Sequence, residues 1–510
     1  MTVTFSTTPC SSRMLRSGVA RLMSLMSVSC LAGVTDSVMS PYLCPEVRAR
    51  TGSPEAGLCG LMISARFATH ILLILVWAEL VTRLGARTIL VTSAMVCGLA
   101  NLALASVVLV SDSQTFTVLT FLCLILSMVG DSGVFSSVYV LAGQTVLTSS
   151  SSSDSKSRMR MTGPAWIETL YGCGSMLGPP VGGLIYVKLG FGGVISVAGA
   201  FMVMVSIINW IVLFQPPENK TMTDIREVSE PHGPHFSEED SCDEDIDKQI
   251  AFSLDEEDPS YCRLLASPVL LGCCLLQVSS GMMSSWHLAS LQSHLADTMS
   301  LSTGQIGLVY MSQSLVYTGL TPLVGLLLDS QPQHGFPLLV TGVLANILGY
   351  SLLGPSSLLT RVPPHVALTV TGLVLIGLGQ ATCLITCLKL MLASTSTNES
   401  QVSGSRDPPQ PIRNEYVRES TAANERQVSR SRDPPQPIRR ESMRESTAAR
   451  VTSVWECCEM VGGYLGSSLG GLAVDNLGFR EATNIMIIME VVIITLLIPF
   501  SLILNSIRRT

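Results

Sequence analysis

Apolar residues in this chain do not alternate with charge in the manner of amphipathic soluble helices. They gather into long blocks, separated by short polar stretches. Each block is about the length needed to cross a bilayer, roughly 20 residues for a hydrocarbon core of about 30 Å. The pattern predicts twelve spans, over about 20–43, 57–80, 87–110, 115–142, 163–187, 192–214, 265–290, 304–328, 336–354, 366–393, 451–475 and 483–505. Six precede residue 215 and six follow residue 263. The expected fold is therefore an all-α membrane protein with two six-helix bundles, 1–214 and 264–510. The first apolar block runs on into a string of others, which is not the pattern of a cleaved signal.

Two polar segments interrupt the pattern. Residues 215–263 are acidic and too poor in apolar side chains to bury a core, so they read as a disordered cytosolic linker. The second, 396–450, holds a near-literal duplication. QVSGSRDPPQPIRNEYVREST at Gln401 recurs as QVSRSRDPPQPIRRESMREST at Gln427. It is polar and Pro-containing, and is expected to be a disordered cytosolic insert. A protein partner or kinase binding at 401–450 is the alternative use, since Arg precedes several Ser.

Orientation follows from the basic residues of the short loops. Arg13, Arg16 and Arg21 precede span 1, Arg83 and Arg87 follow span 2, and Lys156, Arg158 and Arg160 follow span 4. Both termini and the central linker are thus expected in the cytosol, with Arg48 and Arg50 the dissenting residues. Sugar on the sequon asparagines Asn219 or Asn398 would overturn that orientation.

Composition adds little beyond confirming the class. The chain of 510 residues is 47% hydrophobic and 14% charged, with mean hydropathy +0.45; its net charge of −7 arises from the acidic linker and says little about partners. The 15 cysteines are scattered, many inside apolar blocks, and form neither a disulfide framework nor a metal cluster. Cys44 and Cys59 flank one short loop and pair only if it faces an oxidising lumen; free thiols are the expectation.

A weaker repeat has a different meaning. GPPVGGLIYVKLGF from Gly178 returns as GSSLGGLAVDNLGF from Gly466, and the same offset of 288 (466 − 178) carries Glu168 onto Glu456 and Gly174 onto Gly462. This places span 5 on span 11, the same position in each half, as in transporters built from two parallel six-helix repeats. Gly178, Gly182, Gly183, Gly466, Gly470 and Gly471 let neighbouring backbones approach closely. Pro179 and Pro180, present only in the first copy, are expected to bend span 5 near its lumenal end.

LGPPVGG after Glu168 resembles the fifth-helix antiporter motif of the major facilitator superfamily. TRLGART (Thr82–Thr88) is similar to a worn form of its loop 2–3 motif. There Ala78 and Thr82 replace the usual Gly and Asp, while Gly85 and Arg87 remain. Gly325-Leu-Leu-Leu-Asp329 after span 8 is a better-kept second copy. ETLYGCGSMLGPPVGG, IGLVYMSQ and TGVLANILGYSLLGP resemble the vesicular amine transporters, particularly their polyamine branch. The resemblance implies rocking of two bundles around a central cavity lined by spans 1, 4, 7 and 10.

Ionisable residues inside spans are costly and so are functional candidates. They are Asp36, Arg66, His70, Asp131, Glu168, Lys389, Glu456, Glu459 and Glu490. A cavity acid offers a counter-charge to a cationic amine, and the same acid can bind a proton instead; that competition is the simplest chemistry for exchange. Asp36 and Asp131 are the first choices, against a packing role in which each bonds neighbouring Ser and Thr. By resemblance, Arg66 matches a second-helix Lys and Glu456 the acid paired with it, so an Arg66–Glu456 bridge between the halves is expected. Glu168 reads as a helix-start carboxylate or a proton relay, and Glu459 shares the face of Glu456. Glu490 has no evident partner, Lys389 is close enough to the cytosolic end to snorkel, and His70 and His287 read as hydrogen-bonding core residues. Trp286 and Ser127 stand where the vesicular amine transporters have a seventh-helix acid and a fourth-helix Arg, which puts monoamine specificity in doubt.

The sequence thus points to proton-coupled antiport of organic cations, polyamines first, across the membrane of an acidic vesicle or other organelle. It needs no cofactor or metal, only a proton gradient, and its partners are a small cation, protons and lipid rather than nucleic acid. An exporter of drugs or organic anions, with Arg66 as a binding charge, is one alternative. A transport-incompetent membrane protein using the 401–450 loop for interaction is another. No nucleophile–base or metal-ligand spacing suggests an enzyme.

Overall fold

The structure, a computed structural model, describes residues 9–52, 56–149, 153–213, 267–354, 363–404 and 436–509. These residues are helical except for short connections, and among them there is no strand. The first half holds α1 (Pro9–Thr51), α2 (Ala56–Leu84), α3 (Ala86–Val107), α4 (Ser113–Ser149) and α5 (Ser153–Leu213). The second holds α6 (Pro268–Ser285), a short α7 (Leu291–Met299), α8 (Thr303–Ser330), α9 (Gly335–Leu353), α10 (Val366–Gly404), α11 (Gln436–Leu477) and α12 (Phe479–Arg509). Nine helices among the described residues are long and apolar enough to cross a membrane. The 47 residues Ile167–Leu213 of α5 supply two predicted spans, because Gly190 adopts φ 66° and breaks the helix between them.

That break falls where the apolar pattern separates span 5 from span 6. The helix runs through Pro179 and Pro180, and the non-helical residue is Gly190, at a backbone conformation where an L side chain is strained. Gly85, at φ 82°, similarly separates α2 from α3, with the exposed Arg87 in the first turn of α3. Gly325 and Asp329 lie within the last turns of α8 rather than after it. The duplicated insert is helical at both edges, since α10 continues to Gly404 and α11 begins at Gln436, well before its apolar part. Helix propensity and continuity with a packed span outweigh the polar composition there. The rest of the duplication, and the acidic segment 215–263, lie outside the described residues.

Packing follows small residues. In the first half, a Cβ at Gly174 would fall on the Cys30 carbonyl, one at Gly178 on the Ser37 hydroxyl, and one at Gly182 on Val38 and Tyr42, so α5 lies against α1. In the second half, Gly462 meets the Val278 carbonyl, Gly466 meets Ser285 and Met282, and Gly470 meets Trp286, so α11 lies against α6. The remaining glycine of each copy faces the opposite half: Gly183 abuts Gly304 and Thr303 of α8, and Gly471 abuts Ala56 and Gly57 of α2. The echoed sequence is therefore a repeated joint. Each copy fixes the first helix of its own half and touches the second helix of the other.

Elsewhere α3 packs on α4 and α5, and α9 packs on α10 and α12. The buried cores contain Tyr42, Phe116, Tyr350 and Trp455, while Leu72, Leu184, Trp210, Leu275 and Ile488 face outward. Such apolar exposure suits a lipid environment.

One end of the bundle is sealed. Asp475 at the end of α11 accepts hydrogen bonds from the Ala56 and Gly57 amides, both 2.7 Å, and so caps the start of α2 from across the interface. Arg48 pairs with Asp297 at 2.9 Å. Cys44 and Cys59 form a disulfide that ties α1 to α2, correcting the expectation of free thiols. The two helix ends that flank this short loop converge there, which brings both sulfurs together. Arg50 bonds Glu46 at 2.6 Å and the Val108 and Val110 carbonyls at 2.7 and 2.9 Å, and lies over the Phe116 ring. Arg48 and Arg50, the exceptions to the loop-charge pattern, thus have local structural uses.

Candidate substrate and proton site

The charged groups meet along the two seams between the halves, where α2 packs on α11 and α5 on α8. Asp36, midway along α1, accepts from Arg66 of α2 at 2.6 Å and from the Tyr171 hydroxyl of α5 at 2.7 Å. Its side chain is 36% exposed, whereas that of Arg66 is 10% exposed. Both partners of Asp36 come from seam-forming helices, α2 and α5. Asp131 of α4 is buried within electrostatic reach of Asp36, Arg66 and His70, and its Oδ1 has no hydrogen-bond partner among the described residues.

The expected Arg66–Glu456 bridge is replaced by two different pairs. Arg66 turns within its own half to Asp36, and Glu456 of α11 instead accepts from His70 Nε2 at 2.7 Å. Arg66 and His70 are one turn apart on the same face of α2, so both reach the seam. The nearer acid captures the arginine, leaving the histidine for α11. His70 is accordingly an inter-half contact and not a residue satisfied within one bundle.

Glu168 lies in the interior of α5, not at a helix start, and is buried. It accepts from Tyr139 of its own half and from Tyr317 of α8, the latter at 3.0 Å. Among the cross-half contacts, His70–Glu456 and Tyr317–Glu168 are symmetry mates. Gly57, Gly60, Arg66 and His70 of α2 stand at the same mutual spacing as Gly304, Gly307, Gln313 and Tyr317 of α8. GLCGL in one and GQIGL in the other carry the register. It was readable in the sequence but faint, since glycines and one leucine are nearly all that is shared.

The symmetry extends to the first and fourth helices of each half. Gly33 of α1 approaches Tyr171, and Gly281 of α6 approaches Glu459. Ser37 and Ser285 likewise occupy matching places beside Gly178 and Gly466. Asp36 is thereby matched by Ser284, one position on from Met283. By the same logic Gly130 and Gly379 each abut the preceding helix, and Asp131 is matched by Gln380. The charged trio Asp36, Arg66 and Asp131 thus has an uncharged counterpart in Ser284, Gln313 and Gln380.

That counterpart is itself hydrogen-bonded. Gln313 contacts Gln380 at 3.4 Å and His287 at 3.0 Å, and His287 contacts the Tyr350 hydroxyl at 3.2 Å. Glu459 is half-buried one turn from Glu456. Glu490 finds partners in Ser279 at 3.2 Å and Asn346 at 3.4 Å, away from the seams. Lys389 donates to Asp329 rather than standing free at a membrane surface. Tyr139 and Tyr171 were missed in the sequence, since tyrosines in spans carry no signal of their own.

Comparison with known proteins agrees with this architecture. The mouse and human proteins named MFS-type transporter SLC18B1 are each 24% identical over 397 residues, covering 77% and 75% of this chain and 75% and 73% of theirs. Among solved structures, a bacterial homolog of the human lysosomal transporter Spinster, in an inward-facing and unoccupied conformation, superposes with a TM-score of 0.60 at 12% identity. It covers 96% of both chains. The nucleoside transporter NupG gives 0.56 at 12% identity over 93% of this chain and 97% of its own. Residues 24–405 match the Major Facilitator Superfamily, and with the twinned six-helix halves this makes the chain a multi-pass membrane transporter of that superfamily.

Proposed function

We propose that the protein exchanges organic cations for protons, with polyamines and other amines as the leading substrates, across the membrane of an acidic organelle. The observation that carries this is Asp36. It is a partly exposed carboxylate in the middle of a membrane helix, held among the described residues by groups that can let go: one arginine and one tyrosine hydroxyl. A cationic amine and a proton are alternative ligands for such a group, so one can drive release of the other. The described contacts between the halves run from the disulfide-bearing end past Asp36 to the level of His70 and Glu168, so exchange of access to Asp36 requires these contacts to part. Rocking about the seams would exchange access from one side for the other.

His70–Glu456 and Tyr317–Glu168 lie where the seams must part, and they supply protonatable groups for coupling. The anion-export alternative is disfavoured because Arg66, the charge it needs, is already neutralised by Asp36. Disulfides persist in oxidising compartments, which supports a lumenal position for the Cys44–Cys59 end.

The test is uptake into proteoliposomes with an imposed pH gradient and a panel of polyamines, monoamines and organic anions. Gradient-dependent cation uptake that disappears in Asp36→Asn is the expected result. Uptake of anions alone, or equal uptake by Asp36→Asn, refutes the proposal.

A further inference from the structure

The charged trio poses a question that cation exchange alone does not answer. Two buried or half-buried carboxylates and one guanidinium leave a single net negative charge, yet the arginine sits on only one of the acids. Asp131, with 7% of its surface exposed, has an unpartnered Oδ1, and Arg66 has an unpartnered Nε; both are buried. An ionised carboxylate without a partner in such a place is costly. The packed helices α2 and α4 thus bury a donor and an acceptor that have no hydrogen-bond partner among the described residues.

We propose that Arg66 is a tethered counter-cation shared by Asp36 and Asp131. It holds Asp36 while the cleft is empty, and passes to Asp131 when the ammonium group of a substrate takes its place. The inference rests on the cation reading above and deepens it by making Arg66 and Asp131 positioning residues for the substrate charge. Occupied and empty states then differ by one bound cation and by one more neutralised carboxylate. With the cleft empty, the net charge of −1 sits on Asp131; with it filled, the trio and its substrate are neutral.

At the positions that match the trio, the second half offers no charge to compete for that cation. Its matching positions are Ser284, Gln313 and Gln380. The Tyr350 hydroxyl donates to the Met283 carbonyl, so it accepts from His287 Nδ1. His287 Nε2 faces Gln313 Oε1 at 3.0 Å, and the Gln313 amide nitrogen donates to Gln380. The second half thus presents two uncharged amides and a serine at the matching positions.

Binding of radiolabelled spermidine to the purified full-length protein tests this, with thermal unfolding of each variant as a companion measurement. Asp131→Asn gives Arg66 nowhere else to go, and binding should weaken by about tenfold or more. Arg66→Gln should bind at least as tightly as wild type. The double variant Arg66→Gln with Asp131→Asn restores the net charge of −1 and should recover most of the binding lost in Asp131→Asn. Equal binding by Asp131→Asn and wild type, or a double variant no better than Asp131→Asn, overturns the proposal.

A second readout needs no substrate. In an Asp36→Asn background the guanidinium should already lie on Asp131, so the Tm shifts of Arg66→Gln and Asp131→Asn should become strongly non-additive. Near-additive shifts in both backgrounds overturn the shared arginine even if spermidine binds. If spermidine fails to bind wild type but the Tm coupling appears, polyamine binding fails and the arginine transfer stands.

Discussion

At the scale of single residues, the site is governed by which partner lies nearest. Arg66 and His70 project from successive turns of α2, and the acid of α1 takes the stronger cation. Glu456 is consequently satisfied by a histidine whose other ring nitrogen has no partner among the described residues. His70→Ala should lower stability by about 1–3 kcal/mol, because it strands a buried carboxylate without its donor. Glu456→Gln should cost less, since an amide oxygen still accepts from Nε2, and the double variant should lose less than the two single losses combined. Thermal unfolding in detergent measures all three. The same substitution separates structure from coupling: Glu456→Gln should leave folding nearly intact while altering the pH dependence of uptake in proteoliposomes.

Individual helices show how closely backbones approach and what that costs to disturb. Gly174 and Gly462 each face a carbonyl oxygen of the neighbouring helix, at a distance that leaves no room for a Cβ. Gly174→Leu and Gly462→Leu should therefore abolish the monodisperse folded protein, read by size-exclusion chromatography. Gly85 has open space around it but a positive φ. Gly85→Ala should cost only about 1–2 kcal/mol, the ordinary penalty of a left-handed L-residue, and should still yield folded protein. This distinction was only half legible beforehand. The GPPVGG and GSSLGG copies announced close packing, since glycines recurring on one helix face have that meaning whatever they touch. That Gly183 and Gly471 touch the opposite half depends on the three-dimensional turn of α5 and α11, which spacing alone does not give. The Pro179–Pro180 pair lies inside the helical run of α5, where the Pro179 carbonyl accepts from Tyr42 of α1, and the break at Gly190 falls between spans 5 and 6.

On the scale of the whole molecule, the twelve apolar blocks and the twofold division were plain in the hydrophobic pattern, while the partners of the charges were not. Block length records the thickness of a bilayer, but a salt bridge is decided by rotamer reach and by competitors on other helices. The sealed end offers a prediction at this scale. Cys44 and Cys59 close a loop with a sequence separation of 15, for which loop entropy gives about 3 kcal/mol. Cys44→Ser with Cys59→Ser should lower the unfolding temperature by several degrees. A membrane-impermeant maleimide should label these thiols in intact vesicles only after reduction and only from the oxidising side. Labelling without reductant would refute the disulfide.

The doubled glycine joint has a mechanical consequence. α1 with α5, and α6 with α11, are pressed backbone to backbone, so each pair must travel as one stiff plank. The halves then meet along two seams, α5 on α8 and α2 on α11, where Gly183 and Gly471 are joined by Gly172, Gly307 and Gly60 in close approach to the other half. Two stiff pairs that meet along two matching seams can tilt against each other as bodies. The repeated hexapeptide thus gives each seam one face of its bearing.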